Sequence, residues 1–547
     1  MIVQNTQVLI VGAGPTGLTL GLWLTRLGVA VRIIDKSAGP GGTSRALAVQ
    51  ARTLEFHRQI GIVDEVLEAG VKIEQLTVRT PAGVAARLPL ATFGTGKTAY
   101  PFAFALPQDI HERVLIRSLE REGVEVERHT ELVSFQDGAN GVTAKLRKGG
   151  VSEFVRADYL TGADGAHSAV RHMLGIGFPG GAYDQSFYVA DVEGTGEVTR
   201  NGMDTTVSTY GFAIVMPVRQ SGSLRLIGVV PKEHEAKTGI TFDTIRSEVE
   251  RDTGIKVNSV NWFSTYRVYH RVADKFRDGR AFILGDAGHV HSPAGGQGMN
   301  TGMGDAVNLA WKLAAVLQGR AGEKLLDTYE PERIAFARLL IDGTDQAFKM
   351  ATSRSKAVGL FRQHLMPKLL RLLLATNTGK RAFFGMISQT RIEYRNSAIS
   401  IGEAGKIKAG DRLPYVEGSD GDNFAPLASL DWQVHVHGRP SLQFQAELAR
   451  IGFPLHVFDW TAHARRAGFA RDAVYLVRPD GHIAAATGPD GVRVLNYIAQ
   501  LGLHPRYAAD HTKPDADGPS KEIVFIADRI DLLRNQQRVH TIQGADR

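Results

Sequence analysis

Three aspartates in this 547-residue chain share one local pattern, a short apolar run that ends on a carboxylate beside a glycine or a turn. Asp35 ends the run 29–34, Asp164 stands in Gly162-Ala163-Asp164-Gly165, and Asp286 stands in Gly285-Asp286-Ala287-Gly288. Such a run reads as a buried strand that delivers a carboxylate at its tip. Two glycine-dense loops accompany them, Gly12-Ala13-Gly14-Pro15-Thr16-Gly17 and Gly295-Gly296-Gln297-Gly298-Met299-Asn300. Backbone comes close to a ligand at glycine, and a helix opening behind the loop presents free N–H groups and a partial positive charge. Acceptors at strand tips and donors at helix starts suit a ligand with hydroxyls, phosphates and a place where negative charge must be held.

The elements that position these groups are legible around them. Residues 7–11 form an apolar strand, 16–27 a helix that stops at Gly28, and 29–34 a second strand. This is a βαβ unit with G-x-G-x-x-G in its required context. Gly12 allows the tight turn, Gly14 lets a pyrophosphate approach, Gly17 lets helix pack on strand, and Asp35 is placed to accept from ribose hydroxyls. Pro15 and Thr16 at the helix start and Lys36 beside the acid belong to the same dinucleotide-contacting set. Asp35 repels a 2′-phosphate, so the site suits FAD or NAD better than NADP.

Further along, Arg45 precedes a helical segment at 51–60, 71–88 alternates like a hairpin, and Gln108 leads into a helix at 109–122. A strand meander follows at 124–146. Residues 188–265 are strand-rich, with runs at 188–192, 206–210, 212–217 and 223–230, and 301–317 reads as a helix. The stretch 351–376 is apolar and basic together; a membrane-surface or partner helix is one reading, and a packed helix interrupted by Pro367 is preferred. Composition shifts from about 402 through 421, where a domain boundary is expected. Strands are expected at 432–437, 455–459 and 473–478 beyond it, and the tail 534–547 is polar.

Composition excludes several functions. The chain has no cysteine, which removes disulfides, thiolate metal sites, cysteine-ligated clusters and dithiol chemistry. A net charge of +7, from 64 basic and 57 acidic residues, reads as spread along the chain without a nucleic-acid stripe. The N-terminus lacks a signal peptide's basic start, and no apolar run reaches the ~20 residues of a membrane span. A soluble cytoplasmic protein is expected, without nucleic-acid or membrane partners, as a monomer or homodimer. His289 and His291 in one loop, without further ligands nearby, do not make a metal site, and none is expected.

The dinucleotide fingerprint, the Asp164-Gly165 motif and the Gly285-Asp286 motif occur in an order that resembles the class A flavoprotein monooxygenases, the aromatic hydroxylases related to p-hydroxybenzoate hydroxylase. The resemblance covers roughly residues 1 to 390. His167, Gly288 and Gly304 depart from the commonest spelling of these motifs without removing a carboxylate or the glycine loop. It implies an α/β fold: a Rossmann-like FAD-binding domain with an inserted β-sheet substrate domain and a C-terminal thioredoxin-like α/β domain. The expected boundaries are 1–180, with 71–106 contributing to the substrate sheet, 181–268 for that sheet, 269–400 for the second part of the FAD-binding domain and a helical segment, and 401–547 for the last domain.

The implied activity is hydroxylation of a phenolic ring with bound FAD, NADPH or NADH as electron donor, and O2, through a flavin C4a-hydroperoxide. A polycyclic polyketide or antibiotic substrate, or a flavin-binding sensor without turnover, is the alternative. Arg45 and Gln108 match family positions along the ribityl–pyrophosphate arm, Asp286 the ribityl contact, and Asp164 a double duty toward pyrophosphate and nicotinamide. Pro293 matches the oxygen-reacting face, and the amides of Gly296, Gly298, Met299 and Asn300 the negative edge of the reduced ring. Among the aromatics near the expected pocket, Tyr210, Tyr269 and His270 are candidates for relaying the phenol proton.

Overall fold

The computed structural model describes residues 4–41, 46–197, 202–207, 211–218, 223–235, 239–353, 355–419 and 421–506. Two compact units divide the chain, Met1–Ala314 with Tyr329–Ile392, and Ala315–Thr328 with Glu393–Arg547.

The first unit is built on a parallel sheet whose register aligns the tips that carry chemistry. Gln4–Val11 lies between Val151–Gly162 and Val31–Ile34, and Ala281–Ile283 extends the sheet beyond Val151–Gly162. Val11 pairs with Ile34 on one side and Gly162 on the other, and Gly162 pairs with Ile283. The residues that follow, Gly12, Asp35, Ala163 and Leu284, therefore leave the sheet at one level. Parallel α/β sheets bind ligands in the crevice at this carboxyl edge. Val8, Leu9 and Ile10 are fully buried, as a central parallel strand requires, and the helix Pro15–Arg26 lies close on the sheet through Gly21, where a Cβ would lie 2.5 Å from Ile33 Cδ1.

A second sheet of eight strands stands in the same unit. Gly180–Thr195 and Lys256–Val272 form its long antiparallel ribbon, and Gln75–Thr80 and Gly83–Pro89 join at the far edge through Gly202–Val207. The strand-rich stretch also contains a helix, Phe242–Thr253, which the alternation in its surroundings concealed. Its signals are local: Thr241 and Thr244 form a reciprocal cap, and Gly254 ends it in the left-handed conformation. Phe242, Ile245 and Val249 pack on Ala190, Val192, Val215 and Leu226 from one face of the sheet. The neighbours of those residues, Ile214, Met216 and Ile227, face the other way because strand side chains alternate.

In the second unit, Gln433–His437 pairs in parallel with Leu455–Phe458 and antiparallel with Val474–Val477, which continues to Ile483–Thr487. Helices Leu442–Arg450, Ala462–Ala467 and Val492–Leu501 complete a thioredoxin-like α/β arrangement. His435 and His437 are buried within it, and burial pushes the His437 imidazole down to about 4. Among the described residues no helix is long and apolar enough to cross a membrane, and no group of His, Asp or Glu could hold a metal.

The segment 351–376 departs from the packed helix expected of it. Lys356–Leu360 runs through a π turn, Phe361–Leu365, into the helix Met366–Leu374, and Pro367 begins that last helix rather than interrupting it. Pro367 and Leu374 are buried, whereas Leu365, Leu369, Leu372 and Leu373 are exposed.

Candidate active site

The aligned strand tips, the glycine loop and the inner face of the second sheet enclose a cavity of about 830 Å³ within the first unit. Its two ends differ in chemistry. Gly12, Gly14, Asp35, Gln108, Asp164 and Asp286 line one end. Met203, Ile214, Met216, Ile227, Tyr266 and Phe383 line the other.

The polar end has the shape of a phosphate and ribose cradle. Gly12 has φ +103°, and a Cβ there would lie 2.3 Å from the Ala163 carbonyl oxygen, so the turn accepts only glycine. At Gly14 a Cβ would meet nothing within 4 Å; the space in front of that backbone is open. No side chain caps the helix Pro15–Arg26, so its first amides keep their donors free for a ligand. Asp35 accepts from the Ala13 amide at 2.7 Å and the Ser37 amide at 2.7 Å. A carboxylate has about four lone-pair sites, so Asp35 braces the glycine turn and retains acceptor capacity for a ligand. Gln108 donates to Glu112 at 2.9 Å, and Glu112 also accepts from the Gly41 amide at 3.2 Å. Burial pushes the Glu112 carboxyl above its usual range. Arg45 lies outside the described residues.

Asp164 has two faces. Its Oδ2 accepts from the amides of Ala169 at 2.7 Å and Val170 at 3.2 Å, at the start of the helix Ala169–Met173. Its Oδ1 is buried without a partner among the described residues. A buried acceptor left so costs about 1–3 kcal/mol unless a ligand satisfies it. Open space before Gly14, free helix amides and this unsatisfied acceptor together fit a bound dinucleotide.

At the glycine loop, Gly295 and Gly296 have φ +73° and +63°, and a Cβ at Gly296 would lie 2.5 Å from that of Ala48. The helix starts at Gly298, three residues earlier than its apolar pattern suggests, and Thr301 is the first residue to bond back, to Gln297 O at 2.9 Å. The amides of Gly298, Met299 and Asn300 therefore have no carbonyl of their own helix behind them. Pro293 lines the cavity beside them. His291 follows, with Nδ1 2.9 Å from Ser292 O; burial, reinforced by His289, pushes its imidazole down to about 4.

The Asn300 side chain does something other than face the cavity. Its Oδ1 accepts from the Gln50 amide and the Thr53 hydroxyl, each at 2.8 Å, and its Nδ2 donates to Ala48 O at 2.9 Å and Gly296 O at 2.8 Å. Three of these four bonds clamp the loop to the segment 48–53, and the fourth closes the loop on itself. Asn300→Ala is expected to cost about 2–3 kcal/mol, with faster proteolysis or hydrogen exchange at 293–300; unchanged exchange there would refute the clamp. Gly17 likewise serves packing, since a Cβ would lie 2.0 Å from Gly12 O, and it does not line the cavity.

Two aromatic candidates are displaced from the pocket. Tyr269 is 41% exposed, with the Arg271 guanidinium 5.1 Å from its ring, and His270 packs against Tyr183 with ring centroids 5.0 Å apart. Neither lines the cavity. Tyr266, on the same strand, does. Tyr210 lies outside the described residues.

A parallel sheet with a glycine turn, aligned acidic tips and an adjoining apolar chamber defines a dinucleotide-dependent oxidoreductase. Residues 5–344 match the FAD binding domain family. The chain is 38% identical over 405 residues to the 6-methylpretetramide 4-monooxygenase of Streptomyces rimosus, covering 73% of this chain and 72% of that protein. It is 32% identical over 428 residues to the pentachlorophenol 4-monooxygenase of Sphingobium chlorophenolicum, covering 76% of each. Its fold matches the OxyS anhydrotetracycline hydroxylase from Streptomyces rimosus with a TM-score of 0.73 at 27% identity, covering 91% of this chain and 99% of that one. The chain belongs to the class A FAD-dependent aromatic hydroxylases. It is an FAD-dependent monooxygenase acting on an aromatic substrate.

Proposed function

We propose that the enzyme takes electrons from NADPH or NADH and hydroxylates a phenolic ring within an uncharged, multi-ring substrate such as a polyketide. The observation that carries this reading is the apolar end of the cavity. Among the described residues, Met203, Ile214, Met216, Ile227 and Phe383 offer it dispersion contacts and no charge. A substrate carboxylate there would be buried without a partner, at a cost of several kcal/mol. Names of relatives include both 6-methylpretetramide and pentachlorophenol, so a simple phenol is the competing substrate.

When bound, FAD supplies the redox chemistry and the activation of O2. The chain's own residues bind, orient and screen. Gly12, Gly14, Pro15, Thr16, Asp35 and Lys36 hold the adenosine and pyrophosphate arm, with Arg45 and Gln108 along it. Asp286 would accept from the ribityl hydroxyls, and Asp164 would serve the pyrophosphate region and the nicotinamide donor. The amides of Gly298, Met299 and Asn300 would stabilise negative charge on the ring, and Pro293 would border its reacting face; the Gly296 amide, expected to join them, instead donates to Pro293 O at 2.9 Å. Tyr266 replaces Tyr269 and His270 as the phenol-proton candidate, and Tyr210 stays a candidate from the sequence alone. His291, neutral above pH about 4, leaves that region without a fixed cation. We place the enzyme in the cytoplasm, acting as a monomer or homodimer without nucleic acid.

The test is anaerobic flavin reduction by NADH and by NADPH, with phenols, pyridinols and aromatic polyketides in turn. A polyketide that speeds reduction by orders of magnitude, and is hydroxylated on admission of air, is the expected result. Acceleration by a simple phenol alone would overturn the multi-ring assignment. Reduction indifferent to every aromatic, with all electrons recovered as peroxide, would overturn the proposed coupling of reduction to hydroxylation.

A further inference from the structure

The net positive charge is not spread along the chain. Residues 346–392 contain nine Lys and Arg and no Asp or Glu, so they carry +9 of a total of +7, and the other 500 residues sum to −2. Arg362 is buried and donates to the carbonyls of Met350, Ala351 and Ser353. Lys356, Lys368, Arg371 and Arg381 are exposed, and none has an acidic partner among the described residues.

The same segment exposes its apolar side chains. At about 100° per residue, Leu365, Leu369, Leu372 and Leu373 fall on one side of the helix Met366–Leu374 and its approach, opposite the buried Pro367 and Leu374. Leu372 is 70% exposed and Leu360 57%. Lys368 and Arg371 run along one edge of this stripe. A surface helix normally turns such a stripe inward; one turned outward and bordered by cations is built for a partner that is apolar inside and anionic at its rim.

We propose that residues 356–387 dock the enzyme on an anionic lipid bilayer surface, the leucines entering the acyl boundary and the lysines and arginines meeting phosphate headgroups. Charge selects this occupant. A second copy docked by the same face would set unpaired cations against cations, and a nucleic acid would leave the leucines in water. The next helix, Asn377–Ile387, supplies Phe383 and Ile387 to the cavity wall. An apolar substrate partitioned in the bilayer would thus meet the enzyme beside its apolar chamber. The docking does not depend on which substrate that is, and its test uses no turnover.

The experiment is cosedimentation of the FAD-loaded full chain with vesicles of phosphatidylglycerol and phosphatidylcholine, against phosphatidylcholine alone. Binding to the anionic vesicles that weakens with salt is expected, with little on the neutral ones. Leu369→Ser with Leu372→Ser is expected to lower partition about tenfold or more, with flavin content and thermal unfolding unchanged because both side chains already face solvent. No partition onto anionic vesicles would overturn the proposal. So would partition that the serine variant leaves intact, which would mean general charge attraction only. A dimer in light scattering that the same variant dissolves, without vesicle binding, would assign the face to a second copy instead.

Discussion

Asp305→Ala is expected to destabilise the first unit by about 3–5 kcal/mol, because it leaves a buried cation without its counter-charge. Asp305 is fully buried; its Oδ1 accepts from Arg333 Nε at 2.5 Å, and its Oδ2 accepts from the Gly285 amide at 2.9 Å and meets His289 Nε2 at 2.7 Å. Arg333 also donates to Thr301 O at 3.1 Å. One carboxylate thus ties the Gly285-Asp286 turn to the helix Gly298–Leu317 and to the helix Tyr329–Thr352. Gly304 makes the room: a Cβ there would lie 3.2 Å from Arg333 Nη2. The variant is therefore expected to lose flavin as well as stability, since the turn it releases carries Asp286.

The pH dependence of that effect has a definite sign. Burial acts to raise the Asp305 carboxyl, but Arg333 and His289 outweigh it and hold the group below its usual value. A carboxyl lowered by folding adds stability above its unfolded pKa of about 3.9 and loses it as pH falls through the folded value. The gap between wild type and Asp305→Ala is expected to be full above about pH 5 and to shrink below about pH 4. Denaturant unfolding at pH 7 and at acid pH measures it; a difference under about 1 kcal/mol at pH 7 would refute the buried-pair account.

Gly14→Val is expected to abolish FAD binding, by about 100-fold or more in affinity, while the apoprotein folds. Gly14 has φ −80°, and the space before it holds no protein atom within 4 Å, so valine is strained neither by backbone nor by neighbours. What valine would fill is the path of the pyrophosphate. Gly12→Val is the contrasting variant: with φ +103° and a carbonyl oxygen 2.3 Å from the new Cβ, it should damage the fold itself. Flavin absorbance after purification and thermal unfolding of the apoproteins separate the two. Full flavin occupancy in Gly14→Val would remove the pyrophosphate from this turn.

The cofactor end of the site was legible in sequence because its determinants are local. A strand, a glycine turn and a helix start are set by residues within about a dozen positions of one another, and the acids follow their strands directly. The loop 293–300 was legible as a glycine run, although the helix behind it begins at Gly298 through a pair of left-handed glycines that apolar periodicity does not register. The helix Phe242–Thr253 also carried local signals in Thr241 and Gly254, masked by the strands on either side.

The substrate end belonged to tertiary structure. Which tyrosine of Lys256–Val272 reaches the cavity depends on strand phase, and the pairing with Gly180–Thr195 slips between Ala182 and Ser186, opposite 267–269. Tyr266 and Tyr269 stand three positions apart, so strand alternation puts them on opposite faces, and only the packing of the sheet decides that Tyr266 lines the cavity while Tyr269 meets solvent. Asn300 looked like a ligand contact because it stands in the glycine loop, but its partners Ala48, Gln50 and Thr53 lie some 250 positions away and only folding brings them there. The leucines of 365–373 have the same helical spacing whether a helix faces a core or the water; spacing fixes that they share a side, and only the packing of Pro367 and Leu374 decides which side is left outward. The sequence by itself determined a dinucleotide cradle, since each piece is a short-range pattern, and its resemblance to the family implied that the dinucleotide is FAD. The tertiary structure decided the pocket, the clamp and the exposed stripe, because each depends on which distant residue fills the space opposite.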